Sequence, residues 1–239
     1  MMRYYRVFNN QFQLKVKLIA WIMIVYLLLL SVWILTALAP ESSNIYTYII
    51  FLCQGKPYFS LILLCHLLVV RFFLYEPDCF VRIRTPQSVI VKQNVFNLVL
   101  SISGTVGITL IWSTLLYAVF YARRIPSLEM FVMALLLGVA LLFISLLVAS
   151  LFFYLLTTLI DNFSIAFGTF IILLNISAFF PASALYWLAD IFQYREDRLA
   201  DFAYVQGQTL MMVGQSILAL IIASVIFNRK EYLGGSSHG

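Results

Sequence analysis

The chain has 239 residues, 63% of them apolar and only 10% charged, a balance that excludes an ordinary soluble domain and points to an integral membrane protein. That length accommodates about six spans of ~20 residues with short loops, because a helix rising ~1.5 Å per residue must cross ~30 Å of hydrocarbon. The formal charge of +5 comes from basic residues scattered along loop flanks, so it implies no nucleic-acid partner.

Arg3, Arg6, Asn10, Gln13 and Lys17 fall on one side of a helix, with Tyr5, Phe8, Phe12 and Val16 opposite. This pattern predicts an amphipathic helix over 3–17 lying on an anionic bilayer surface. Residues 18–39 carry no charge, with Trp21 near the start and Pro40 just past the end, and read as the first span. The run is too long for a signal-peptide core, so it is expected to remain in the membrane. Residues 42–55 are too short to cross before Lys56 and Pro57 and read as an outer, partly inserted segment. A second span is expected over 57–75, provided that Arg71 snorkels to the interface.

Between Arg71 and Lys92, six of 22 residues are ionised. Pro77 suits a first helical position, Glu76 and Asp78 the positive end of a helix dipole, and Arg82 and Arg84 the negative end. Pro86 turns Thr85 away from helix. A helix over 76–85 is predicted, about two turns long and marginal on its own. Phe80 and Ile83 give it an apolar side for docking, alongside Cys79.

Further spans are predicted over 95–121, 130–156, 162–180 and 204–227. In the third, Ser103, Thr105 and Gly107 form a small, polar middle that suits either close helix packing or a translocation path. Asp161 marks a tight turn before the fifth, which carries the deep amide Asn175. Residues 181–203 turn from apolar to charged and read as a partly re-entrant outer segment. The ending 234–239 reads as an expression remnant and is set aside. The resulting fold class is all-α integral membrane, with six transmembrane helices and both termini on one side.

Ten basic residues fall on that side: Arg3, Arg6, Lys15, Lys17, Arg71, Arg82, Arg84, Lys92, Arg229 and Lys230. Five fall on the other: Lys56, Arg123, Arg124, Arg195 and Arg198. By the positive-inside rule the termini and the charged loop are expected in the cytoplasm.

The sequence offers little catalytic chemistry. The single Gly-Lys pair, Gly55-Lys56, has Ile50 and Pro57 where a phosphate-binding loop needs Gly and Ser or Thr. There is no HExxH and no GxSxG, and Cys53, Cys65 and Cys79 are too dispersed for a metal site. His66 lies within a span and reads as a hydrogen bonder in helix packing. No ionised group sits at mid-membrane to bind a coupling ion, so uphill transport would need energy from outside the chain. The chain is not expected to be an enzyme or to bind a cofactor.

This order of parts resembles the membrane (permease) subunit of a type-2 ABC exporter, of the small bacterial kind paired with a separate ATPase. The resemblance rests on the basic entry helix, the six spans, the segment Pro77-Asp78-Cys79-Phe80-Val81-Arg82-Ile83-Arg84 with Lys92 beyond it, and the ending FNRKEYL. It implies that residues 76–85 are a coupling helix for the ATPase, with Phe80 and Ile83 as apolar contacts, Glu76, Asp78, Arg82 and Arg84 as charged ones, and Asp161 as a second, smaller contact. It also implies ATP and Mg on the partner ATPase, a second permease that is the same chain or a relative, and a bacterial plasma-membrane location. The aromatic and aliphatic content suits a hydrophobic or amphipathic cargo, and the resemblance to small permeases implies a peptide, such as an antimicrobial one. Lipid and drug export are the alternatives, and a non-transporting scaffold or sensor is the competing class.

Overall fold

A computed structural model describes residues 2–38, 49, 58–74, 87–121, 127–160, 162–179 and 202–234. All regular structure among them is helical. In chain order the helices are α1 (Met2–Trp33), α2 (Leu64–Phe73), α3 (Gln87–Tyr121), α4 (Leu128–Ile160), α5 (Phe163–Phe179) and α6 (Phe202–Gly234). Wider π-helical turns continue α1 over Ile34–Leu38 and lead into α2 over Tyr58–Leu63.

Four of these helices are long and apolar enough to cross a membrane: Lys15–Thr36, Val89–Phe120, Glu129–Ile160 and Ala203–Ile226. Shorter apolar helices run over Leu61–Phe73 and Phe163–Leu173. The exposed surface of the long helices is itself apolar, with Trp21, Phe96, Ile111, Val119, Leu136 and Leu210 among its most exposed side chains. A surface of that kind is stable against lipid tails and not against water.

Two helices extend beyond their apolar runs. The segment expected as a separate interfacial helix, 3–17, is continuous with the span in one helix of 32 residues. The third helix begins at Gln87, ahead of the span expected over 95–121, and carries Lys92 in its second turn. In both places polar residues end the hydrophobic run, yet they are adequate helix formers, so the helix continues where the apolar stretch stops.

Helix α3 packs against α2 and α4, α4 also takes α5 and α6, and α1 lies against α2 with a lighter contact to α3. The core gathers Leu30, Leu67, Val70, Leu98, Leu142, Leu146 and Phe153 around this centre. Small residues let backbones come close on α4 and α6, where Ala149, Ala219 and Ala223 are fully buried or nearly so.

The turn from α4 into α5 is short, and Asn162 caps it. Its Oδ1 accepts from the backbone N–H of Ser164 at 3.0 Å and of Ile165 at 3.2 Å, satisfying donors that the first helical turn leaves open. Beyond the cap, Phe153 of α4 meets Phe163, Phe167 and Phe170 of α5 edge-on, with ring centroids 5.3, 6.4 and 5.8 Å away. These aromatic contacts fasten α5 to α4 beyond the turn that joins them.

Candidate functional site

The buried side of α3 is polar along most of its length. Asn94, Ser101, Thr105, Thr109 and Ser113 are all buried. From Ser101 onward they recur every fourth residue, which places them on one face. From Asn94 to Ser113 this face rises about 28 Å, close to the hydrocarbon thickness of a bilayer. A seam of neutral hydrogen-bonding groups therefore runs through the molecule where lipid-exposed helices would carry only apolar side chains.

The hydroxyls survive without water because the helix supplies acceptors. Thr105 Oγ1 lies 3.0 Å from the carbonyl of Ser101, and Thr109 Oγ1 lies 2.7 Å from that of Thr105. On α4, Ser150 Oγ lies 2.6 Å from the carbonyl of Leu146. Each is the i−4 back-bond open to Ser and Thr in helices.

His66 of α2 stands at the middle of the seam and is completely buried. Its Nδ1 is 3.0 Å from Thr105 Oγ1, and its Nε2 is 2.7 Å from Ser150 Oγ. One imidazole thus joins α2 to both α3 and α4. A neutral ring has one N–H and one bare nitrogen, so one hydroxyl accepts from it while the other turns from its own carbonyl and donates to it.

Three further links extend the seam. Tyr26 of α1 shares a hydrogen bond of 2.6 Å with Thr109, and Trp112 Nε1 donates to Ser31 Oγ at 2.8 Å, so α1 is tied to α3 at two levels. Toward the other end, Asn94 Nδ2 donates to the Tyr154 hydroxyl at 3.4 Å. Asn97 Nδ2 donates to the carbonyl of Phe73 at 2.8 Å, satisfying a free acceptor at the end of α2. Between these links, Ser101 Oγ is buried and has no hydrogen-bond partner among the described residues.

The residues singled out from sequence in the third span separate onto different faces. Thr105 belongs to the seam. Ser103 is exposed and its hydroxyl donates to the Val99 carbonyl at 2.9 Å. Gly107 is half-buried, and a Cβ added there or at Gly104 would meet nothing within 4 Å. Among the described residues, no neighbour packs closely over either glycine. Asn175 is a residue of α5 whose side chain lies outside the described set. Glu76, Asp78, Phe80, Arg82, Ile83, Arg84 and Asp161 also lie outside the described residues, as do 181–201 and, apart from Ile49, the segment 42–55.

Sequence reasoning picked out Thr105 and His66 singly but not their pairing, nor Tyr26, Ser150 and Tyr154. The signal available was the four-residue repeat of hydroxyls at 101, 105, 109 and 113. Among the described residues, no group of three or more His, Cys, Asp or Glu side chains is placed to hold a metal ion, and Cys65 is a buried free thiol. No family model, curated protein or solved structure matches this chain.

Proposed function

We propose that this chain is the membrane-spanning subunit of an ATP-driven exporter, working with a separate ATPase and a second permease of the same or related sequence. It is placed in a bacterial plasma membrane with six spans and cytoplasmic termini. The observation that carries this reading is how charge is distributed. The described ionised side chains, Lys15, Lys17, Arg71, Lys92 and Glu129, are all exposed and lie toward the ends of the apolar stretches, while the described buried polar side chains are Ser, Thr, Asn, Gln and a histidine. An interior of neutral groups suits a transporter whose energy arrives from a soluble partner. The segment from Arg71 to Lys92, with its concentrated charges, is the place for that partner to dock.

In this reading Phe80 and Ile83 enter an apolar groove on the ATPase, with Glu76, Asp78, Arg82, Arg84 and Asp161 adding charged contacts. ATP and Mg are held by the partner. The cargo is a hydrophobic or amphipathic molecule entering from the membrane, with a peptide favoured over a lipid or drug. Deleting residues 77–84 is expected to abolish co-purification with the ATPase while membrane insertion is preserved. Survival of the complex after that deletion overturns the assignment. For cargo, amphipathic peptide added to the reconstituted complex is expected to stimulate ATP hydrolysis, and a response to lipid alone counts against a peptide.

The hydrogen bonds that join α1, α2, α3 and α4 favour one competing reading, a static scaffold or sensor. Nucleotide-dependent change in the distance between α1 and α4, measured by paired spin labels, separates the two, because a scaffold shows none.

A further inference from the structure

Arg71 lies in the last turn of α2, otherwise made of Val70, Phe72 and Phe73. Its guanidinium carbon sits 4.6 Å above the centre of the Phe163 ring, a cation–π contact with the first residue of α5. Phe163 is in turn stacked on Phe167 at 5.9 Å and held edge-on by Phe153, so the platform beneath the guanidinium is fixed. The chain reverses between Ile160 and Phe163, which sets this level as an end of the bundle. Arg71 is exposed there, and it makes no hydrogen bond or ion pair with any described residue. A contact between the guanidinium carbon and the ring face does not itself use the N–H donors as hydrogen bonds.

Lys15, Lys17 and Lys92 lie at this same end of the bundle, exposed, whereas the described acid Glu129 begins α4 at the opposite end. A membrane protein presents this level to lipid headgroups, and the complement of a fixed, unsatisfied guanidinium fork is a phosphate diester. We propose that Arg71, held on the Phe163 ring, is a binding site for the phosphate of an anionic phospholipid in the leaflet that meets this end of the bundle. Phe163 is a positioning residue that aims the fork at headgroup depth. The inference stands independently of the exporter reading.

The test uses the full chain in nanodiscs of phosphatidylcholine with and without phosphatidylglycerol, counting retained lipids by native mass spectrometry. Wild type is expected to retain phosphatidylglycerol over phosphatidylcholine by about fivefold more than Arg71→Gln, the preference one basic residue gives near an anionic surface. Lys92→Gln is expected to keep the wild-type preference. If Arg71→Gln is unstable, Phe163→Leu keeps the charge but removes the platform, and is expected to lose most of the preference. Retention in Arg71→Gln, or an equal loss in Lys92→Gln, reduces the effect to general surface charge and overturns the proposal. A preference that emerges only in Asp161→Asn makes Asp161 the anion of Arg71 and also overturns it. Displacement of the lipid by millimolar glycerol phosphate assigns the site to a soluble phosphate instead, against the lipid.

Discussion

At the scale of single residues, His66 is a two-sided bridge, because its two nitrogens reach two different helices. His66→Ala removes both bonds and leaves a cavity, while Thr105 and Ser150 fall back on their own carbonyls. With intramembrane hydrogen bonds averaging ~0.6 kcal/mol and a cavity contribution added, the expected loss is roughly 1–3 kcal/mol. Thr105→Val keeps the volume and removes one bond, so its loss is expected to be the smaller of the two. Reversible unfolding in bicelles orders the variants, and a Thr105→Val loss equal to that of His66→Ala contradicts the two-sided bridge. That His66 bonds to neighbouring helices was legible from its position in an apolar run. Which hydroxyls it meets was not, because periodicity within one helix carries no information on its register against another.

At the scale of elements, α5 depends on a ring cluster. Phe153 is fully buried and touches three phenylalanines of α5. Phe153→Ala is expected to cost about 3 kcal/mol and to loosen α5 from α4. A cysteine placed at Ser164 reports it, with faster labelling by a water-soluble maleimide in the variant; an unchanged rate means that the capped turn at Asn162 suffices to hold α5. Among the described residues, the helices over the long apolar runs were readable, since runs of about 20 apolar residues leave few options for a chain in lipid. Helix ends were not. At α1 and α3 the apolar run marks where lipid stops, and the hydrogen-bonded helix continues through Lys15 and Lys92 into the polar phase.

At the scale of the whole molecule, charge sets the orientation that the exporter reading requires. With native cysteines replaced, Glu129→Cys is expected to label from outside intact cells with an impermeant maleimide, and Lys92→Cys only after the membrane is opened. The reverse pattern inverts the topology and removes the cytoplasmic docking segment with it. Expected labelling at both positions from one side contradicts a membrane crossing by α3. An all-helical membrane fold follows from composition, but the seam comes from four helices meeting, and only the assembled bundle displays it.

Helix α3 is one unbroken rod of 35 residues that starts directly after the segment 75–86 and contains the hydroxyl row. Such a rod transmits torsion. A turn of about 100°, one residue's worth, replaces Thr105 opposite His66 with Gly104 or Val106, and puts Ile108 or Leu110 where Thr109 meets Tyr26. Neither alternative offers a side-chain hydrogen bond, so the bundle accepts a single angular setting of α3. Torque applied at Gln87 is therefore either resisted along the whole depth of the membrane or releases every rung of the seam at once.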